Sequence, residues 1–275
     1  MQPEEPHRPP LDPGRLSTGG WRVEVLEECP STNAYVAGRA RSGEPPGLVL
    51  VAEHQQAGRG RLDRVWVTPP RAALTVSLLV APETVPLARW PWLPLLAGLA
   101  VRDMVGDAVG SAGVRAELKW PNDVLLDGAK VAGILVERVE TPSGDAAVVG
   151  IGLNVSSTRA ELPVESATSL ALAGATGAGL DRTALLDALL VTFGRRFDGW
   201  ASSAGHGLLP AYTRACSTLG RRVRVELPGG TTLTGDATGV DDDGRLLVDT
   251  GGQVHVLGAG DVVHVRPADG TRQVR

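Results

Sequence analysis

Apolar residues recur along the first two thirds of the chain with the spacings of both strands and helices. Alternating or short continuous apolar runs predict strands at residues 22–27, 48–53, 73–81, 115–120, 124–126, 130–137 and 146–155. Helical spacing predicts helices at residues 31–40, 90–109 and 182–200, and a shorter one ending at Cys216. Ser31 and Asp181 stand where helix N-caps are expected. The pair Asp127 and Gly128 predicts a hairpin turn between two strands.

The pattern changes after Leu219, where short alternating segments follow one another. They predict strands at residues 222–227, 232–240, 245–249, 253–257 and 262–265, separated by glycine-rich turns. About fifty residues of this kind are typical of a small β-barrel. We therefore divide the chain into a disordered Pro/Gly-rich tail, a large domain, a small barrel and a C-terminal tail, with the bounds 1–20, 21–218, 219–268 and 269–275.

Composition limits the class of protein. The chain has 275 residues and a net charge of −4, so no global positive field favours nucleic acid or an anionic membrane surface. Its two cysteines are too few for a disulfide framework and are expected to be reduced in the cytoplasm. No apolar run is long enough for a membrane span, and the first residues do not resemble a signal peptide.

Two residue types are unusually rare. Lysine occurs only at positions 119 and 130, and asparagine only at positions 33, 122 and 154, while arginine is abundant. A position that keeps lysine or asparagine against this bias is a candidate for chemistry that arginine or aspartate cannot perform. The alternative is chance.

A loop rich in arginine and glycine follows the second strand, over residues 55–71. Gly58 and Gly60 allow a ligand to approach the backbone, and three arginines at positions 59, 61 and 64 favour a phosphate or a carboxylate. It is neither a Walker loop nor a dinucleotide fingerprint. The alternatives are a solvated basic loop for the arginines and a core position for Trp66, whose ring could otherwise face an adenine.

Both lysines flank one predicted hairpin, which runs from Lys119-Trp-Pro-Asn-Asp123 to Lys130-Val-Ala-Gly-Ile-Leu-Val-Glu137. Because Lys130 begins an apolar strand, it needs an anion to offset desolvation, unless it is an edge lysine that reaches solvent. Two weaker signals accompany the hairpin. The strand Gly150-Ile-Gly-Leu-Asn154 leaves space beside its glycines, and Cys29-Pro-Ser-Thr-Asn33 places hydroxyls at a helix start that could hold a polar ligand.

Together and in this order, these four segments closely resemble the biotin–protein ligase family, from about residue 21 to the end. The resemblance implies an α+β fold, in which a mixed-sheet catalytic domain of the biotin/lipoate ligase superfamily precedes a small Src-homology-3-like barrel. It implies that biotin and ATP form biotinyl-AMP, with Mg²⁺ accompanying the ATP phosphates. Biotin then passes to a lysine of a biotin carboxyl carrier domain of acyl-CoA carboxylases, so the expected partners include neither nucleic acid nor membrane.

The resemblance also implies residue roles. Biotin would be bound by residues of the helix start, the loop and the second lysine motif: Ser31, Thr32, Asn33, Gln55, Gly58, Arg59, Arg61, Lys130 and Gly133. ATP would be bound by Arg61, Arg64, Trp66, Asn122, Lys130 and Asn154. Lys130, Arg61 and Asp123 would be catalytic, with Asp123 orienting or deprotonating the incoming lysine.

The chain departs from bifunctional members of the family, because it lacks their N-terminal helix-turn-helix of about sixty residues, which puts a DNA-binding role in doubt. Two other functions stay open on the sequence. A lipoate ligase of the same superfamily would be stabilised by lipoate rather than biotin in a thermal-shift experiment. A nucleic-acid-binding module would show salt-dependent binding to generic DNA.

Overall fold

The computed structural model describes residues 8–17, 19–60, 65–227, 230–258 and 260–264. The strands before residue 155 are β1 Arg22–Cys29, β2 Leu48–Gln55, β3 Gly58–Arg59, β4 Val65–Trp66, β5 Ala73–Val80, β6 Ala116–Lys119, β7 Asp123–Leu126, β8 Ala129–Thr141 and β9 Gly144–Asn154. The helices are α1 Thr32–Arg41, α2 Trp92–Ala108, α3 Arg182–Ser202 and α4 Leu209–Ala215. The C-terminal strands are β10 Arg222–Glu226, β11 Thr232–Val240, β12 Leu246–Asp249, β13 Val254–Leu257 and β14 Asp261–His264.

A mixed seven-stranded sheet forms the centre of the fold, in the order β1-β2-β5-β9-β8-β7-β6. Strands β1 and β2 are parallel because helix α1 connects them as a crossover, whereas the remaining neighbours are antiparallel. The turn predicted between β7 and β8 has positive φ at both Asp127 and Gly128, as a tight hairpin requires. The predicted mixed-sheet α+β fold is therefore confirmed.

The two faces of this sheet carry different helices. Helix α1 packs on one face through a small apolar cluster that includes Val36 and Ala40. Helices α2 and α3 belong to the main core on the other face, and the apolar residues of α3, from Leu185 to Trp200, are largely buried there. The face beside α1 is thus incompletely covered, and this leaves space for a ligand.

The C-terminal strands form a five-stranded antiparallel sheet in the order β13-β12-β11-β10-β14. This arrangement is consistent with the predicted small barrel. Its buried side chains, such as Val223 and Leu246, join the same core cluster as helix α2. The boundary between residues 218 and 219 stays a prediction.

Trp120 connects the two sheets through its backbone and its ring. Its backbone N–H donates to Thr218 Oγ1 at 3.0 Å, and its indole Nε1 donates to the carbonyl of Gly244 at 3.0 Å. The Trp120 side chain is only 2% exposed. The motif that contains Asn122 and Asp123 is therefore anchored to the C-terminal sheet.

The N-terminal segment differs from its prediction as a disordered tail over residues 1–20. Residues 8–17 lie against the large domain, whereas residues 1–7 are outside the described residues. The backbone N–H of Leu11 donates to Glu53 Oε1 at 2.6 Å, and Arg182 Nη1 lies 2.6 Å from Glu53 Oε2. Specific buried partners thus compensate for the entropy of ordering a segment without periodic apolar residues.

The described part of the arginine loop contains regular secondary structure. Strands β3 and β4 pair as a short antiparallel hairpin, with Gly58 opposite Trp66. Residues 61–64, between them, lie outside the described residues. Among the helices of the described ranges, none is both long and apolar enough to cross a bilayer.

Candidate functional site

A cavity of about 920 Å³ opens on the α1 face of the central sheet. The start of α1, the β3–β4 hairpin, strands β7 to β9, residues 163–167 and strand β14 line it. A volume of this order suits a ligand of drug or nucleotide size. The candidate residues that line it are Ser31, Thr32, Asn33, Gln55, Arg59, Trp66, Asn122, Asp123, Lys130, Gly133 and Asn154.

Four of these residues form a polar corner at the start of α1: Ser31, Thr32, Asn33 and Gln55. Ser31 caps the helix, as predicted, by accepting a hydrogen bond from the backbone of Ala34. Gln55 Oε1 accepts from the backbone N–H of Thr32 at 2.9 Å, which satisfies a second unpaired donor of the first turn. All four residues are less than 10% exposed, so their polar atoms are held in fixed positions.

Because the glycines of the site have no side chain, they leave space that neighbouring side chains occupy. A Cβ on Gly150 would lie 2.1 Å from Asn33 Oδ1, and a Cβ on Gly152 would lie 2.6 Å from Trp66 Cε2. The space expected beside this strand is therefore confirmed, and it is filled by Asn33 and Trp66. Gly58 does not line the cavity, but its missing side chain leaves room for Gln55, whose Nε2 lies 2.1 Å from the position of a Cβ.

Lys130 finds the anion that its place in an apolar strand requires. Its Nζ lies 2.6 Å from Asp123 Oδ1, and Lys119 Nζ lies 3.8 Å from Asp123 Oδ2. The two lysines of the chain thus flank one carboxylate. The Lys130 side chain is 34% exposed and lies in the wall of the cavity, so its ammonium can also reach a bound anion.

The backbone of Lys130 is fixed by a segment that the sequence pattern does not identify. Its N–H donates to Ser166 and its carbonyl accepts from Thr168, both at 2.8 Å, which pairs it in parallel with Ala167. Residues 163–167 have no strand or helix periodicity, so only the tertiary structure brings them to the cavity.

Each of the two remaining asparagines donates one amide hydrogen bond to a backbone carbonyl. Asn122 Nδ2 donates to the carbonyl of Ile134 at 2.7 Å, and Asn154 Nδ2 donates to the carbonyl of Thr168 at 2.9 Å. Each amide keeps one further N–H and its oxygen. Both side chains therefore support the cavity wall, and their role in reading an adenine stays a prediction.

The described residues of the arginine loop lie at different places around the cavity. Trp66 lies over the sheet, with Lys130 Nζ 5.9 Å from its ring centroid. Arg59 is exposed at the cavity mouth. Arg61 and Arg64, which the sequence assigns to biotin and ATP phosphates, lie outside the described residues. Their assigned roles therefore stay predictions.

Strand β14 of the C-terminal sheet forms part of the cavity wall, a position that its sequence pattern does not predict. His264 lines the cavity, and its ring lies 3.2 Å from Thr218 Oγ1. Burial, together with the positive charges of Lys119 and Arg221, lowers the pKa of His264 from 6.5 to about 4. His264 is therefore neutral at physiological pH. A histidine in an alternating strand carries no spacing signal, so no sequence pattern singles it out.

Among the described residues, no group of three or more His, Cys, Asp or Glu side chains could hold a metal ion. What the cavity combines is a neutral hydrogen-bonding corner and a cationic centre at Lys130. This combination suits a ligand with a polar ring at one end and an anionic group at the other.

Comparison with known proteins agrees with this architecture. The chain is 44% identical over 267 residues to the biotin–[acetyl-CoA-carboxylase] ligase of Mycobacterium tuberculosis, which covers 94% of this chain and 97% of that protein. The chain belongs to the biotin–protein ligase family. The model of the biotin/lipoate A/B protein ligase family matches residues 25–154 of this biotin–protein ligase, and that of the biotin protein ligase C-terminal domain matches residues 218–265.

Two further similar proteins are matched over different shares of their own length. The bifunctional ligase/repressor BirA of Escherichia coli is 32% identical to this biotin–protein ligase, over 90% of the chain and 75% of that protein. The biotin protein ligase of Aquifex aeolicus in complex with biotin and ATP is 27% identical, with a TM-score of 0.71 over 89% of this chain and 99% of that one.

Proposed function

We propose that this ligase forms biotinyl-5′-AMP from biotin and ATP, releasing pyrophosphate. It then transfers biotin to one lysine of a biotin carboxyl carrier domain, releasing AMP. The observation that carries the proposal is Lys130. Its ammonium lies in the cavity wall beside Asp123, in the same cavity as the polar corner.

Biotin would bind with its ureido ring in the polar corner. Ser31, Thr32 and Gln55 provide hydroxyl and amide groups there, and all three are buried. The valeryl arm would follow the backbone at Arg59 and Gly133 toward Lys130. This orientation would bring the carboxylate of biotin to the part of the cavity wall that carries Lys130 and its partner Asp123.

ATP would occupy the rest of the cavity. Trp66 and Asn154 would contact its adenine, together with Asn122, and Arg64 would face its phosphates. In support, Trp66 lies across Gly152 and Gly133, close to Lys130. An adenine beside this ring would place the α-phosphate within the range of the same ammonium.

The first chemical step joins two anions, so positioning and charge neutralisation limit it. The carboxylate of biotin attacks the α-phosphorus, a C–O–P anhydride bond forms, and pyrophosphate leaves with the electrons of the broken bond. Lys130 stabilises the charge on the carboxylate and on the α-phosphate, with Arg61 assisting. Its contact with Asp123 holds the ammonium in place before either substrate binds.

In the second step the amine of the carrier lysine attacks the anhydride, an amide bond forms, and AMP leaves. The attacking amine must lose a proton. Asp123 is the candidate to orient that amine or accept the proton, because its carboxylate faces the cavity between the two lysines. Arg59, Val65 and Trp66 of the β3–β4 hairpin line the cavity, and they would cover the anhydride and protect it from water.

Magnesium has no dedicated site in this proposal. Because no metal-binding cluster is found among the described residues, Mg²⁺ would be held chiefly by the ATP phosphates, as is common for this ion. No step above depends on it.

The proposed partner is a carrier domain of an acyl-CoA carboxylase, and the proposed location is the cytoplasm. Both cysteines are free and buried, which is compatible with a reducing compartment. No nucleic acid or membrane is part of the proposed reaction.

The experiment is mass spectrometry of a purified carrier domain after incubation with the ligase, ATP and biotin. We expect one biotin on one lysine. A carrier with that lysine replaced by arginine should stay unmodified. Lipoate in place of biotin should give no product, and modification by lipoate alone would overturn the proposal.

A further inference from the structure

A chain of hydrogen bonds passes behind the polar corner and reaches a residue outside the cavity. Ser77 Oγ, on strand β5, lies 2.8 Å from Thr32 Oγ1 and 2.6 Å from Asn33 Oδ1. Thr32 Oγ1 in turn lies 3.1 Å from Gln55 Oε1. Ser77 is fully buried and does not line the cavity, so it touches no ligand.

Both amide groups in this chain have a fixed orientation. Asn33 Nδ2 faces two acceptors, the carbonyl of Leu135 at 3.2 Å and Glu137 Oε2 at 2.7 Å, so Oδ1 must point to Ser77. Gln55 Oε1 accepts from the backbone N–H of Thr32 at 2.9 Å, and a backbone N–H can only donate. Neither amide can therefore flip without placing like groups against each other.

Three contacts between oxygen atoms then share only two hydroxyl protons. Asn33 Oδ1 has no proton, so the 2.6 Å contact uses that of Ser77. The 2.8 Å contact between Ser77 and Thr32 then requires the proton of Thr32. The longest contact, at 3.1 Å between Thr32 and Gln55, is left without a proton, and it is the one where oxygen–oxygen repulsion is weakest.

We propose that Ser77 is a positioning residue that turns the hydroxyl proton of Thr32 away from the cavity. Thr32 Oγ1 then presents only lone pairs to the ligand and acts as an acceptor. This inference rests on the proposed function and deepens it, because the ligand group that fits such an acceptor is a ureido N–H. A ring oxygen at that position would place its lone pairs against those of Thr32 Oγ1, with no proton between them.

The site distinguishes a ligand N–H from a ring oxygen because Thr32 cannot reorient its hydroxyl proton. Turning its proton toward the cavity would leave the buried 2.8 Å contact with Ser77 without a proton, which is costly away from water. Without the serine hydroxyl, Thr32 can donate to Gln55 when the ligand offers an N–H, and into the cavity when it offers an oxygen. Loss of Ser77 should therefore lower selectivity more than it lowers affinity for biotin.

The test measures binding of biotin and of its two cyclic carbamate analogues, in each of which one ureido N–H is replaced by a ring oxygen. Isothermal titration uses the full-length protein and its Ser77→Ala and Ser77→Cys variants, since a thiol is a weak donor of nearly the same size. The matched control is Ser169→Ala. Ser169 is also a fully buried serine that donates to a backbone carbonyl, but it lies outside the cavity.

We expect one analogue to bind the unmodified protein at least about tenfold more weakly than biotin. In both Ser77 variants this penalty should fall to about threefold or less, while Ser169→Ala keeps it. Steady-state kinetics of Ser77→Ala should show a raised KM for biotin with kcat and the KM for ATP unchanged.

Weakening of biotin and both analogues by one common factor would make Ser77 merely structural and overturn the inference alone. A protein that binds no biotin at all would overturn the proposed function, and the inference with it. Biotin binding with the expected selectivity but without transfer to a carrier would contradict the proposed function and leave the inference supported.

Discussion

Lys130 Nζ lies 2.6 Å from Asp123 Oδ1 across the neighbouring strands β7 and β8, and Lys119 lies on the other side of the same carboxylate. The only two lysines of the chain therefore meet at one aspartate. In a chain that otherwise uses arginine as its cation, this arrangement indicates that a compact ammonium is needed at this position.

Replacing Lys130 should stop adenylate formation even when the charge is kept. A guanidinium is wider and planar, so it cannot sit as a point charge between a carboxylate and a phosphate. We expect Lys130→Arg to lose nearly as much as Lys130→Ala, about 3–4 kcal/mol of barrier or roughly a hundred- to a thousandfold in rate. Pyrophosphate release from ATP and biotin measures the loss.

Circular dichroism serves as the folding control for these variants. Lys119→Arg is the matched comparison, because Lys119 approaches the same carboxylate only to 3.8 Å, and we expect it to lose less. Near-normal activity of Lys130→Arg would mean that any cation suffices at this position.

Replacing Arg59 should release the intermediate rather than prevent its formation. Arg59 is exposed at the mouth of the cavity, on the β3–β4 hairpin that would cover bound adenylate. We expect Arg59→Gly to form biotinyl-AMP and to label lysines of bystander proteins. Biotin blotting after incubation with serum albumin measures this, and a variant that labels only the carrier at normal rates would exclude a lid role for Arg59.

Adding one methyl group at Gly152 should disturb Trp66 selectively. The new Cβ would lie 2.6 Å from Trp66 Cε2, so the indole must move. If Trp66 contacts adenine, Gly152→Ala should raise the KM for ATP about tenfold or more, while biotin affinity changes little. Gly239→Ala is the control, because its Cβ would make an ordinary 3.6 Å contact with Leu247, and equal effects of the two variants would refute the role.

Acidification should destabilise the fold through His264. Because its pKa is lowered to about 4, mainly by burial, the folded state resists the proton that the unfolded chain accepts near pH 6.5. The free energy of unfolding should therefore be independent of His264 above pH 6.5 and fall between pH 6.5 and 4. The side chain is partly exposed, so we expect a loss on the order of 1 kcal/mol after screening.

Urea unfolding from pH 7.5 to 4.5 measures this contribution. The His264→Gln variant lacks the titrating group, so it should lose less stability than the unmodified protein. Carboxylates with lowered pKa values, such as that of Asp181, act equally in both proteins. Parallel pH profiles would contradict the assignment.

Local chemistry accounts for what the sequence predicts well. The turn at Asp127 and Gly128, the N-caps at Ser31 and Asp181, and the helix predicted at residues 182–200 all depend on residues close in the chain. The need of Lys130 for an anion, which Asp123 meets, also follows from its apolar neighbours alone.

Contacts between distant segments account for what the sequence does not predict. Ser77 stands in a continuous apolar strand and gains its role from residues 44 and 45 positions away. Pro9 and Leu11 belong to a segment with the composition of a tail, yet Arg182 and Glu53 hold it. No periodicity identifies such pairings, because each consists of one hydrogen bond between otherwise unrelated stretches.

The two hydrogen bonds of Trp120 restrict which C-terminal sheets from other ligases could replace the one in this chain. A C-terminal sheet taken from another ligase would have to supply a hydroxyl at position 218 and a carbonyl at position 244 in the same places. A mismatched graft would leave two donors of a buried tryptophan unpaired, two residues from Asn122 and three from Asp123. Chimeras joined near residue 218 should therefore lose catalytic activity before they lose their fold.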